Sequence, residues 1–182
     1  MAYYFFVAQL PTFRPGDQPP MELDQFLVLA KRYLSNMDFD KLTKALSGDP
    51  STVKNASGVF GQWIKFNQRF RNELAVFRAL RAGRDPKDYV RGERQPDIFL
   101  TQTIEEAGKA NNPLDAEKIL DKARLHFLDI IAQDHYFDFD VILAYALKLK
   151  LFERYKFIAS DEGKAIFDTY KNFDPNQTTF SN

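Results

Sequence analysis

The sequence predicts an all-α fold of about six helices, in one compact or two-lobed helical domain with a short N-terminal extended or helical segment. Three observations predict it. Apolar residues recur at three- and four-residue spacing from Leu23 onward. The stretch "NNPLDAEKIL" carries the entry chemistry of a helix in full. No alternation of apolar and polar residues long enough for a strand follows residue 11. A chain of 182 residues suits a single domain over 1–182, with 1–95 and 96–182 as candidate halves.

The opening run, "YYFFVAQLP", sets four aromatics before Val7, Ala8 and Leu10 and stops at Pro11. Pro15, Gly16, Pro19 and Pro20 then make a stiff connector, so the run is one short strand or helical turn. It has no basic lead and falls well short of the ~20 apolar residues that span a bilayer. Neither a secretory signal nor direct membrane insertion is expected. Two fates remain open to Tyr3, Tyr4, Phe5 and Phe6: the core, or an edge that faces a partner.

The stretch "MELDQFLVLAKRYL" places Leu23, Phe26, Leu27, Ala30 and Leu34 on one helical face. A second helix, "DFDKLTKAL", is closed by Gly48 and Pro50. A long helix is expected from Thr52 to Ala82, with a bend near Gly58 and Gly61. Its stripe is Phe60, Trp63, Asn67, Phe70, Leu74, Phe77 and Arg81, widened by Ile64 and Phe66. Gly83 suits the C′ position, and Asp85-Pro86 confirms the stop. The charged "RDPKDYVRGERQPD" is the best internal boundary. A modest helix follows from about Ile98 to Ala110.

Asn112 is the expected N-cap of the next helix, with Pro113 at N1 and Asp115 and Glu117 facing its positive end. Ala116, Leu120, Ala123, Phe127 and Ile131 form its seam. The stretch from Asp138 to Ser160 begins apolar nearly all round, which places that helix at the centre of the domain. A last short helix, "DEGKAIFDTYKNF", precedes a polar tail.

Chemistry is sparse. The absence of Cys excludes disulfides and thiolate nucleophiles and fits a reducing cytoplasm. Lys plus Arg equals Asp plus Glu at 25 each, so net charge gives no general reason to expect nucleic acid or anionic lipid. Ser47, Ser57 and Ser160 lie in no nucleophile-like context. The stretch "SGVFG" is too short for a phosphate loop. No catalytic residues and no cofactor are expected.

Asp134, His135, Asp138 and Asp140, with His126 one helix earlier, offer the donor types of a carboxylate–histidine metal site. They also separate two helices, where Asp138 or Asp140 serves as N-cap. Capping accounts for them without a metal, and a metal- or small-ligand-binding helical enzyme stays as the alternative.

Charge is unevenly spread. Lys65–Arg94 holds nine Lys/Arg against four acids, a surplus of five, whereas Gln95 onward holds fifteen acids against ten bases. One reading is a solvated basic face balanced internally. The other is a docking stripe of Arg69, Arg71, Arg78 and Arg81 for an acidic partner surface. Phe66, Phe70 and Phe77 interleave with these cations, but they share a face with Trp63 and Leu74, which is core geometry rather than a base-stacking platform. No nucleic acid is expected. Asn67 lies in the apolar stripe, where an unpaired amide costs on the order of 1–3 kcal/mol. It therefore needs a partner inside the chain or on another protein.

Three pieces carry a family resemblance: "YYFFVAQLP", the block "W…FN…RNELAVFRALRAGRD…Y.R" from Trp63 to Arg91, and residues 112–155. On these the chain resembles an uncharacterised bacterial family, a numbered domain of unknown function, whose members accompany V-type ATPase gene clusters. A more distant likeness runs to the C-type family of V-type ATPase subunits (d-type in eukaryotes), through the "Y.F..A.L" start and the "YLSNMDFDKL" segment. That family is all-helical and acts as a socket between central shaft and membrane rotor ring. The resemblance implies a non-catalytic central-stalk subunit, partnered by shaft and ring subunits and held peripherally on the cytoplasmic face of the inner membrane. A peripheral regulatory adaptor of the same ATPase is the further alternative.

Overall fold

The computed structural model describes residues 2–12, 19–48, 54 and 56–171. The fold is all-α, with no strand among the described residues. Among the described residues eight α-helices follow in chain order: α1 (Ala2–Val7), α2 (Leu23–Tyr33), α3 (Asn36–Ser47), α4 (Gly58–Arg81), α5 (Ile98–Gly108), α6 (Pro113–Ala132), α7 (Phe139–Ala159) and α8 (Asp161–Lys171). A 3-10 turn, Pro86–Tyr89, lies between α4 and α5.

The opening run is helical. Six residues cannot hold a helix on propensity alone, so tertiary contacts must hold α1. Phe6 is fully buried, its ring stacked 5.6 Å from Tyr33 and tilted against Phe26 at 5.5 Å. The Tyr3 hydroxyl donates to Asp38 at 2.8 Å. Helix α3 starts two residues before the expected Asp38, because the Ser35 hydroxyl accepts the Asp38 amide and caps the helix there.

The long helix is shorter than the sequence suggests. Ser57 is extended and Gly58 takes a left-handed φ of 57°, so the expected bend at Gly58 is the start of α4. Residues 52, 53 and 55 of the predicted helix lie outside the described residues. A Cβ on Gly58 would overlap the Asp140 carboxylate, so glycine is required there by both conformation and space. At the other end Gly83 (φ 66°) closes α4, with the Arg84 amide reaching back to the Ala79 carbonyl at 2.9 Å.

Asn112 caps α6 and Asp138 caps α7, each accepting the amide three residues on. Helix α7 is the hub, touching α1, α2, α3, α4, α6 and α8. Ile142, Leu143, Ala144, Ala146, Leu147 and Leu149 are buried around its girth, as an all-round apolar helix requires. One core cluster gathers Phe6, Phe26, Leu42, Val59 and Phe60 around α7. The second gathers Phe66 and Phe70 of α4 with Leu100, Ile104, Leu120 and Ala123 of α5 and α6. Trp63 and Phe127 pack against both clusters.

The charged segment after α4 folds back on that helix. Asn72, buried within α4, donates to the Arg91 carbonyl at 3.0 Å and accepts the Arg91 amide at 3.1 Å. Glu73, also buried, receives a two-pronged bond from Arg94, both contacts at 2.9 Å. These bonds tie the 84–97 segment down.

Candidate functional site

The eight residues singled out as partner-binding do not form one surface. Phe6 belongs to the core and Tyr3 is half-buried against Asp38. Tyr4 and Phe5 point outward, 53% and 57% exposed. The Tyr4 ring lies 4.7 Å from Phe137, itself exposed in the α6–α7 corner beside exposed Tyr136. The alternation follows from the short helix: residues 3 and 6 share the inward face, while 4 and 5 are left on the other. The result is an aromatic patch at the N-terminal end of α4, where Asp140 meets Gly58.

The cationic stripe divides as well. Arg69 is half-buried and pairs with Asp97 at 3.5 Å. Arg71 is exposed. Arg78 and Arg81 instead line a groove of about 1080 Å³ at the C-terminal end of α4, about 30 Å along the helix from the aromatic patch. Its walls come from the ends of α4, α5 and α7, the first turns of α6, and α8. Leu74, Phe77, Ile104, Leu120, Phe157 and Ile158 supply its apolar lining. Gly108 lets α5 approach α4 here, since a Cβ on it would overlap the Phe77 ring.

Electrostatics distinguish the groove from an ordinary crevice. Among the described residues four cations line it, Arg78, Arg81, Arg154 and Lys164, against one carboxylate, Glu117. Arg154 is committed internally, bonded to Glu117 at 2.5 Å and Asp121 at 2.8 Å. Burial works against the Arg154 charge, but these bonds outweigh it and raise its pKa. Lys164 pairs with Asp161 at 3.1 Å. Arg81 donates to the Gly108 carbonyl at 3.5 Å and lies 5.6 Å over the Phe77 ring. Neither Arg78 nor Arg81 has a carboxylate partner among the described residues.

Beneath the groove sits a charged group that sequence spacing does not reveal. Asp121 is buried and bonded to Arg124 at 2.6 Å as well as to Arg154. Both bonds go to one oxygen, and the other has no partner among the described residues. Arg124 stacks 4.2 Å over Phe70, and burial pushes its pKa down. The one signal in sequence is an acid beside the apolar seam of α6, and nothing there shows which distant arginine reaches it.

The acidic cluster at 134–140 is a helix-capping corner. Asp138 accepts the Val141 amide at 3.0 Å, and its other oxygen meets His135 Nδ1 at 2.6 Å. That bond to Asp138 raises the His135 pKa. Burial works against the Asp138 charge, yet the His135 and Val141 bonds hold its pKa below the usual carboxylate value. No group of three or more His, Cys, Asp or Glu among the described residues is arranged to hold a metal ion. Asn67 finds its partner inside the chain, donating to the Trp63 carbonyl at 2.9 Å.

No described helix is long and apolar enough to cross a membrane. The chain matches no curated protein and no solved structure. Residues 98–172, which comprise α5 through α8, match the family model described as a protein of unknown function (DUF2764).

Proposed function

We propose that this protein is a non-catalytic assembly component that joins other proteins through surfaces at the two ends of α4. The observation behind the reading is the pairing of an exposed aromatic patch (Tyr4, Phe5, Tyr136, Phe137) with a cation-rimmed apolar groove at the far end of a 24-residue helix. Exposed rings clustered on one surface favour contact with another protein over water. A packed helical body deforms little, so the two ends hold a fixed separation.

The family resemblance in the sequence points to shaft and membrane-ring subunits of a bacterial V-type ATPase as the partners. This chain would be a socket or connector of the C-type kind on the cytoplasmic face of the inner membrane. ATP chemistry would belong to other subunits. The match of residues 98–172 to a family of unknown function agrees with the uncharacterised-family part of that resemblance.

The test is native affinity purification of the tagged protein from its own membranes in gentle detergent, with co-purifying chains identified by mass spectrometry. Recovery of V-type ATPase shaft and ring subunits is expected. Recovery of the protein alone, even at low salt, would overturn the reading.

A further inference from the structure

We infer that the groove at the C-terminal end of α4 receives an acidic amphipathic helix from a partner protein. The inference rests on the assembly reading and adds the chemistry of what is docked. Three features point to it.

The first is size. At about 1080 Å³ the groove lies at the top of the roughly 300–1,000 Å³ range of small-molecule pockets and has room for a larger occupant. A helix about 10 Å across with a 1.5 Å rise occupies roughly 120 Å³ per residue, so one lying half-sunk over about five turns fills this volume.

The second is lining. Leu74, Phe77, Ile104, Leu120, Phe157 and Ile158 present an apolar trough between helices, the surface that takes residues spaced i, i+3, i+4, i+7. The third is charge. Arg78 and Arg81 stand on one edge with no carboxylate partner among the described residues. Both lie in the last turn of α4, where cations complement the helix end. That local role leaves most of their donors free, since a guanidinium has five and Arg81 places one on Gly108. Acids along one flank of an incoming helix would meet this edge.

The residues after α8 are a poorer occupant. Asn172–Asn182 contains one acid, Asp174, and Pro175 follows it, so that sequence offers neither an acidic flank nor an uninterrupted helical pattern.

The experiment uses the full chain and two labelled peptides of about 15 residues. They share one leucine face at i, i+3, i+4 spacing and differ only in carrying Glu or Lys on the flanks. Fluorescence anisotropy should show the Glu peptide binding at least about tenfold more tightly. Raised salt should weaken it. The double variant Arg78→Glu, Arg81→Glu should reverse the preference while keeping the helical circular dichroism of the parent. Equal binding of the two peptides, preference for the Lys peptide, or no binding of either would overturn the inference. So would stoichiometric uptake of a long-chain fatty acid with no peptide binding, which would make the groove a small-molecule pocket. If V-type ATPase subunits co-purify but the Glu peptide does not bind, the groove inference falls and the assembly reading stands. If the Glu peptide binds and no ATPase component is recovered, the reverse holds.

Discussion

Phe6 and its two neighbours show how much one position decides. Phe6 fills the space between Phe26 and Tyr33, so Phe6→Ala should cost about 3 kcal/mol through lost burial and a cavity. Tyr4→Ser with Phe5→Ser removes exposed rings and should leave the urea midpoint nearly unchanged. Equal loss of stability in both variants would contradict this division. A row of aromatics is plain in the sequence, but not its rotation, which depends on α1 being helical and on where Tyr33 and Asp38 stand. Glu73 makes the complementary case among polar residues. Its carboxylate is 3% exposed and is held by Arg94, itself 40% exposed. Arg94→Met should therefore cost about 2 kcal/mol, less than the loss of a fully buried partner, because water can reach part of the site. A Glu73→Gln, Arg94→Met pair should recover some of that loss. A long-range ion pair of this kind has no period in sequence, so spacing cannot disclose it.

At the scale of elements, the caps are the most readable features. Asn112-Pro113 and Asp138 act through amides three residues away, so local sequence contains the whole interaction. The start of α4 is misleading because Ser57 and Gly58 follow the helical spacing of their neighbours while their backbone does not. The groove is unreadable for a different reason: its walls come from α4 through α8, five helices spread over half the sequence. Two predictions belong here. The α6–α7 corner should be pH-sensitive. His135 has a raised pKa in the fold, so its contribution is fully present below the ordinary value of 6.5 and is lost as pH rises through the raised value. Asp138 has a lowered pKa, so its contribution is lost only as pH falls through that depressed value. Melting temperature should decline from about pH 6 to about pH 8 in the parent and lose most of this slope in His135→Gln. An unchanged slope in the variant would contradict the assignment. The second concerns α8. A Cβ on Gly163 would overlap the Phe157 carbonyl and approach the Ile158 Cα to 3.0 Å, so α8 must shift in Gly163→Ala. The cost should be about 1–3 kcal/mol. Hydrogen exchange should show faster exchange in α8 with α6 and the first half of α7 unaffected.

At the scale of the whole molecule, two features set what the fold can do. Helix α7 is the hub for six of the other helices, and α4 separates two exposed surfaces of different character. The all-α class and the central position of α7 are evident from apolar spacing and from an all-round apolar helix. The separation of the surfaces is not, because Tyr3–Phe6 and Arg69–Arg81 read as two continuous stripes until burial removes Phe6 and ion pairing engages Arg69. The central claim is that both ends of α4 dock partners and that none of the chemistry is this chain's own. Its most direct test is a three-way co-purification from native membranes: the parent, Tyr4→Ser with Phe5→Ser, and Arg78→Glu with Arg81→Glu, each first shown to melt like the parent. The parent should bring down V-type ATPase shaft and ring subunits, and each variant should lose a different part of that set. A parent that emerges alone, or variants that retain every partner, would contradict the claim.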